Sequence, residues 1–170
     1  MGNTKESRPS GEASAKRRSL GVVVGVMLAV AAADQIVKQI MVASLTPGVP
    51  VPVIGDWARL YLLFNPGAAF SMGQNSTWLF TTIQLAFVVG ALMYAPRLAG
   101  KWETLGVALI AGGALGNLID RLGREPGFWF GHVVDYISIG SFAVFNLADA
   151  AITIGVAVVV ISMFAEEARS

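Results

Sequence analysis

Four long apolar runs dominate the sequence and predict four membrane-spanning helices. The first begins at Leu20, carries no polar residue before Asp34, and continues to about Ala43 once a few polar positions are admitted. The others cover 76–95, 104–119 and 150–165, and none of them contains a formal charge. A helix needs roughly 20 apolar residues to cross the hydrocarbon core of a bilayer. The third and fourth runs are shorter than that.

The short third and fourth runs place polar groups inside the membrane. The third reaches full length only by taking in Asn117 and Asp120, and the fourth only by taking in Asn146 and Asp149. Polar residues therefore lie at one end of each of these helices. Because ionisable groups inside a span are costly, each is a functional candidate.

Composition agrees with a membrane protein. Hydrophobic residues make up 55% of the chain, charged residues only 14%, and the mean hydropathy is +0.64. Soluble domains are apolar in just under half of their residues and charged in about a quarter. The absence of cysteine excludes disulfides and thiolate metal sites. Basic surface sufficient for nucleic acid is absent outside the N-terminal tail.

The distribution of basic residues predicts the orientation. Four spans place both termini on one side, together with the loop between the second and third spans. That side carries eight Lys and Arg residues, whereas the other two loops carry three. The positive-inside rule then makes both termini cytoplasmic. A basic tail before an apolar run also resembles a signal peptide, but no A-x-A-like site precedes a soluble domain, so a retained anchor is favoured.

The two outer loops contain more than linkers. Three prolines between the first span and Ile54 exclude a helix there. From Trp57 to Phe64 the residues alternate between two fairly apolar faces, which predicts a strand. Because an open strand edge cannot lie in lipid, we expect a small sheet at the interface above the helices. The fold class is therefore an all-α membrane protein with a small extracytoplasmic β element.

These predictions divide the chain into three parts. Residues 1–19 form a disordered, basic, cytoplasmic tail. Residues 20–165 form a four-helix membrane domain, with a β-rich outer loop at about 44–75 and a second outer loop at about 121–148. Residues 166–170 form a cytoplasmic tail.

Two groups of polar residues in the spans have a structural explanation. Asp34 and Lys38 are four apart, so they share a helix face and can pair. We favour this ion pair over direct chemistry. Asp120 is likewise four residues before Arg124, and Asn117 and Arg121 lie beside it. A packing network is favoured there.

Asp135 and Asp149 are harder to explain structurally. Neither has Lys or Arg within four positions. At about 1.5 Å per residue, Asp149 lies roughly 25 Å along the fourth helix from Glu166, just inside the outer boundary. If the two carboxylates face each other, repulsion makes them share a proton, so that one acts as base and the other as acid. Such a pair activates water against an amide, as in aspartic proteases.

Other chemistries fit the sequence poorly. It has one histidine, His132, and neither an H-E-x-x-H nor a G-x-S-x-G motif. A small proton-coupled transporter and a structural membrane subunit remain alternatives. A carrier would show an internal repeat or broken helices in matching halves, and none is evident in the sequence.

Five motifs in order resemble the lipoprotein signal peptidase (signal peptidase II) family. The resemblance covers about residues 20–165, and its variable positions, such as Tyr136, are conservative. The motifs are Asp34-Gln35-x-x-Lys38, Asn65-Pro66-Gly67-Ala68-Ala69-Phe70-Ser71, Gly113-Ala114-Leu115-Gly116-Asn117-Leu118-Ile119-Asp120-Arg121, Val133-Val134-Asp135-Tyr136 and Phe145-Asn146-Leu147-Ala148-Asp149.

The resemblance implies a bacterial cytoplasmic-membrane aspartic endopeptidase that cuts prolipoproteins just before their diacylglyceryl cysteine. It implies that Asp135 and Asp149 are the catalytic dyad. It also implies no metal or cofactor, sensitivity to globomycin, and bilayer lipid as the surroundings; we expect a monomer with no nucleic-acid partner. Supporting or substrate-orienting roles are implied for Asn65, Asn117, Asp120, Arg121 and Asn146, beside the Asp34 and Lys38 pair.

Overall fold

The computed structural model describes residues 9–67 and 77–168, which form four long helices and one three-stranded sheet. This confirms the predicted four helices and the small β element. A short 3-10 turn, Ala95–Arg97, connects the second and third helices. The elements are α1 Pro9–Ser44, β1 Val51–Ile54, β2 Ala58–Asn65, α2 Thr77–Tyr94, α3 Lys101–Gly123, β3 Val133–Ile139 and α4 Leu147–Glu167.

All four helices are long and apolar enough to cross a membrane. Their outward faces carry large apolar side chains that no other part of the described chain covers. Leu28 and Ile36 on α1, and Ile161 and Phe164 on α4, are each more than half exposed. In water such surface would be unfavourable, whereas hydrocarbon covers it without cost. The protein is therefore a multi-pass membrane protein.

Helix α3 is the centre of the bundle because its small residues allow the other helices to approach closely. A Cβ at Gly112 would lie 2.7 Å from a side-chain carbon of Val30 on α1. A Cβ at Gly113 would collide with the backbone carbonyl of Ala148 on α4. Gly112 and Gly116 form a G-x-x-x-G sequence, which is typical of close helix packing in membranes.

Helix α1 begins at Pro9, eleven residues before the predicted start. The predicted disorder of the tail is therefore wrong for residues 9–19, and residues 1–8 lie outside the described part. The segment 13–18 contains alanine, lysine and arginine, which favour helix. It continues a helix that the membrane span has already nucleated, so each added residue costs little. At the other end, α4 continues to Glu167, into the predicted tail.

The sheet has the antiparallel order β1-β2-β3 and lies at the end of the bundle where α1 stops and α4 starts. Strand β2 confirms the strand predicted at 57–64. We did not predict β1, which contains Pro52 but is an edge strand, where proline is tolerated. Nor did we predict β3, although its β-branched residues are typical of strands. One face of the sheet packs against the C-terminal part of α1 through Leu62, Val134 and Tyr136.

Candidate active site

Five of the predicted site residues meet between the sheet and the adjoining helix ends. Each comes from a different position in the fold: Asn65 ends β2, Asp135 lies within β3, Asn117 lies on α3, Asn146 caps α4, and Asp149 lies in the first turn of α4. Hydrogen bonds connect all five side chains. The separate sequence motifs therefore form one spatial cluster.

The pairing of β2 with β3 sets the position of Asp135. Leu63 lies directly opposite Asp135 in the register, so Asn65, two residues further on, shares its face of the sheet. Asn65 donates from Nδ2 to Oδ2 of Asp135 at 2.8 Å, and Asn146 donates from Nδ2 to Oδ1 at 2.7 Å. Both carboxylate oxygens therefore have a fixed partner.

Burial sets the protonation of Asp135, which is only 1% exposed. Desolvation, with a smaller contribution from the charge of Asp149, raises its pKa to about 7, against the opposing effects of the Asn65 and Asn146 hydrogen bonds and of the charge of Lys38. A carboxyl group with this pKa can both hold and release a proton near neutral pH.

Asp149 is held by the cap of α4. Its backbone N–H donates to Oδ1 of Asn146 at 3.0 Å, and its own Oδ2 accepts from the backbone N–H of Asn146 at 3.2 Å. This is a reciprocal capping box. Its Oδ1 accepts from Nδ2 of Asn117 at 2.8 Å. The two aspartates are thus joined through Asn146 and Asn117.

A cavity opens beside Asp149 and gives access to it. Its volume is about 300 Å³, and its lining is mostly apolar. The lining residues are Phe142, Phe145, Asp149, Ala150, Thr153 and Ile154. Of the two aspartates, Asp149 lines this cavity, whereas Asp135 is buried in β3.

The side-chain amides of Asn65, Asn117 and Asn146 form an amide layer around the two aspartates. A cluster of charged side chains adjoins this layer. Lys38 Nζ contacts Asp34 Oδ2 at 2.7 Å and Asp120 Oδ2 at 2.9 Å, and none of the three side chains is exposed. The predicted pair of Asp34 with Lys38 is confirmed, as is that of Asp120 with Arg124, at 2.6 Å. The contact between Lys38 and Asp120 was not predicted, because it joins helices that are distant in sequence.

Asp34 and Asp120 each connect several elements. Asp34 Oδ1 accepts from the backbone N–H of Ala148 at 3.0 Å, which satisfies a free donor in the first turn of α4. Asp120 accepts from the side chain of Gln35 and from the backbone N–H of Val134, both at 3.1 Å. These bonds join α1, α3, β3 and α4 around the amide layer. They support the structural interpretation of both carboxylates.

Arg121 provides a cation that interacts with the two aspartates. Neither aspartate has a Lys or Arg among its near neighbours in the sequence. Arg121 is 4% exposed, its guanidinium carbon lies 5.7 Å from the centre of the Phe80 ring, and it interacts electrostatically with Asp135 and Asp149. Its Nη1 makes a long bond of 3.4 Å to the Gly131 carbonyl. Its Nε has no partner among residues 9–67 and 77–168.

Sequence reasoning missed some residues that shape the site. Phe142 of the cavity and Gln35, which binds Asp120, were not given roles. Thr81 on α2 is also buried, and it donates to the backbone carbonyl of Trp129 at 2.8 Å, which fixes the loop before β3. The capping box could have been found, since Asn146 precedes an apolar run and an acidic residue follows three positions later. Residues 68–71 of the Asn65 motif lie outside the described part.

The family model of signal peptidase (SPase) II matches residues 26–165. A lipoprotein signal peptidase of Rhodococcus jostii (strain RHA1) is 45% identical over 146 residues, which is 86% of this chain and 72% of that protein. The lipoprotein signal peptidase of Mycobacterium tuberculosis (strain ATCC 25618 / H37Rv) is 42% identical over 165 residues, which is 95% of this chain and 82% of that protein.

Solved structures agree with these sequence relatives. A bacterial membrane enzyme determined by the in meso method at 2.3 Å resolution superposes with a TM-score of 0.76, at 26% identity, over 88% of this chain and 92% of that one. A second, at 1.9 Å resolution, gives a TM-score of 0.72 at 28% identity over 84% and 92% of the two chains. The motifs, the fold and the family match all agree, and the chain belongs to the signal peptidase II family.

Proposed function

We propose that Asp135 and Asp149 are the catalytic dyad of this chain and that it cuts lipid-modified prolipoproteins just before their lipidated cysteine. As a member of the signal peptidase II family, the chain is a protease that removes signal peptides from prolipoproteins. The observation that carries the dyad proposal is the buried Asp135, with a pKa of about 7, joined through two amides to an accessible second carboxylate.

The environments of the two aspartates suggest different roles. Asp135 holds the shared proton near neutral pH, because its pKa is raised. Asp149 borders the cavity and acts as the base: it takes a proton from water while the water oxygen bonds to the scissile carbonyl carbon. Asp135 gives its proton to the carbonyl oxygen. In the breakdown step Asp149 protonates the leaving nitrogen, the C–N bond breaks, and Asp135 recovers a proton from the diol hydroxyl.

The amides hold the two carboxyl groups in place for this exchange. Asn65 and Asn146 each occupy one oxygen of Asp135, and Asn117 occupies one oxygen of Asp149. Arg121 is proposed to orient the substrate, because its buried guanidinium has an unused Nε donor within the described chain. Such donors can bind a peptide carbonyl and the negative charge that develops on it. The buried charged cluster of Asp34, Lys38 and Asp120 is proposed to hold these amides and the start of α4 in place.

The site is proposed to lie at the outer leaflet of the bacterial cytoplasmic membrane, with both termini in the cytoplasm. The basis for this topology is the excess of basic residues on the terminal side of the chain. A signal helix lying in the bilayer would then bring the scissile bond to the level of the dyad. The mostly apolar cavity beside Asp149 suits part of such a lipid-embedded substrate. Inhibition by globomycin-type peptides is expected at the same site.

We also propose that the chain acts as a monomer without a metal or cofactor. All the carboxyl and amide groups used in the proposed mechanism come from one chain. A water molecule and two carboxyl groups of unequal proton affinity suffice for the hydrolysis.

The experiment that tests this function uses the purified protein in lipid nanodiscs with a diacylglyceryl-modified prolipoprotein. The same precursor without the lipid is the matched control. We expect a gel shift for the lipidated precursor alone, and mass spectrometry should find the lipidated cysteine as the new N-terminus. Equal cleavage of the unlipidated precursor, or a cut elsewhere, would refute the proposed specificity.

A further inference from the structure

Lys38 is placed where the charged cluster meets the amide layer. Its ammonium group has three contacts: two carboxylates, Asp34 and Asp120, and Oδ1 of Asn117 at 2.8 Å. An ammonium has three donors and no acceptor, so these contacts use it completely. The two carboxylates are sufficient to explain why the charge is tolerated. The third contact, with a neutral amide, has no such explanation.

The contact with Lys38 decides which way the Asn117 amide points. Oδ1 of Asn117 accepts from Lys38 at 2.8 Å and from Nδ2 of Asn146 at 3.1 Å, so its Nδ2 faces Oδ1 of Asp149 at 2.8 Å. The reversed amide would place an NH₂ group against the ammonium and a carbonyl against the carboxylate. Both contacts would be repulsive. The charge-assisted bond from Lys38 is the shorter of the two that hold Oδ1, and bonds of this kind are the stronger ones.

We propose that Lys38 is a positioning residue of the reaction, which acts on Asp149 by fixing the orientation of Asn117. This inference rests on the proposed role of Asp149 in the dyad. Lys38 does not touch the substrate; it is completely buried on α1. Loss of its bond leaves Asn117 held at Oδ1 by Asn146 alone. The Nδ2 donor that faces Oδ1 of Asp149 is then less firmly directed, so that Oδ1 loses a fixed partner, whereas Oδ2 of Asp149 keeps its bond from the backbone N–H of Asn146.

The test must separate this role from simple charge balance. Lys38→Met leaves Asp34 without its cation, whereas Asp34→Asn/Lys38→Met removes one charge of each sign. In the double variant the asparagine that replaces Asp34 can still accept the N–H of Ala148 through its Oδ1, and Asp120 keeps Arg124. We expect the double variant to fold well and still to show kcat lowered by up to about 100-fold, with KM little changed.

A second comparison asks whether Lys38 acts through Asn117. Asn117→Ala and the triple variant Asp34→Asn/Lys38→Met/Asn117→Ala complete a cycle with the double variant. If Lys38 acts through the amide, the triple variant should be as slow as the slower of its two parents, and the pH profiles of kcat should shift alike in all three. If the losses in kcat of the two parent variants multiply in the triple variant, the inference is overturned. It is also overturned if the double variant regains wild-type kcat together with its stability.

The structure of the Asp34→Asn/Lys38→Met variant provides a test that does not depend on activity. We expect the Asn117 side chain to move out of hydrogen-bond reach of Asp149. An unchanged distance of about 2.8 Å would overturn the positioning role even if no variant cleaves substrate. Failure of the wild-type protein to cleave the lipidated precursor would instead refute the proposed function. The two failures are therefore distinguishable.

Discussion

The replacement Asp135→Asn should remove the part of the pH dependence of stability between pH 5 and 8 that this buried carboxyl contributes. Burial raises the pKa of Asp135 to about 7, from an ordinary value of 3.8. Because the folded-state pKa lies above the unfolded one, the folded protein binds this proton more tightly. The stability that this proton contributes is therefore complete below the unfolded-state pKa, and it is lost as the pH rises through the folded-state pKa of about 7. From pH 5 to pH 8 the wild-type protein should lose about 2–3 kcal/mol through this one group.

The magnitude follows from the two pKa values. At pH 5 the unfolded carboxyl is already mostly ionised, so part of the loss has occurred. Between pH 5 and 7 each further pH unit costs at most about 1.4 kcal/mol, and the loss levels off around pH 7 because the folded group ionises too. Asparagine has no such proton. The variant also loses a constant amount of stability, because its NH₂ must face the amide of Asn65 or Asn146, but this cost does not vary with pH.

The assay is the unfolding of wild type and Asp135→Asn in the same detergent at pH 5, 6, 7 and 8. The matched control is Asp56→Asn, the same substitution at an exposed carboxylate in the turn between β1 and β2. The control should keep the wild-type slope, whereas Asp135→Asn should flatten it by about 2–3 kcal/mol over this range. Parallel slopes for all three proteins would refute the argument that Asp135 is held protonated by burial.

Three further predictions concern the membrane fold. Reporter fusions after residue 98 should report cytoplasm and those near Gly127 the outer side; an outer location for residue 98 would break the proposed placement of the dyad. Lys38→Met should unfold more easily than Asp34→Asn/Lys38→Met, by about 3–5 kcal/mol if the lone carboxylate stays charged, and equal melting would contradict the ion-pair interpretation. Gly113→Val should destabilise by about 1–3 kcal/mol through overpacking against α4, whereas Gly90→Val, which meets nothing within 4 Å, should have little effect.

The sequence predicted those parts of the fold that depend on local pattern. Hydropathy is a property of a contiguous run, so the four helices were found, with α2 placed within one residue at each end. Pairs four residues apart are likewise local, and both the Asp34 and the Asp120 pairs are present. The resemblance named residues of the site but not how they contact one another.

The remaining features depend on contacts between distant parts of the chain. Strand β3 is a strand because β2 pairs with it, and its own pattern of buried residues on both faces resembles a short buried segment of any kind. Lys38 and Asn117 lie on different helices and are 79 positions apart in the sequence, so no local spacing predicts the bond between them. The burial that raises the pKa of Asp135 likewise comes from several elements together and cannot be read from the neighbours of that residue.

The most direct test of the proposed dyad is single-turnover cleavage of one lipidated prolipoprotein by Asp135→Asn, Asp149→Asn, their double variant and Asp120→Asn, at matched folded concentrations. Each dyad substitution should abolish cleavage, and the double variant should be no slower than either single one, because the two groups act as a unit. Asp120→Asn should act mainly through stability and keep measurable turnover, since Asp120 bonds Lys38, Arg124 and the backbone of β3. Residual cleavage by Asp135→Asn equal to that of Asp120→Asn would contradict the dyad.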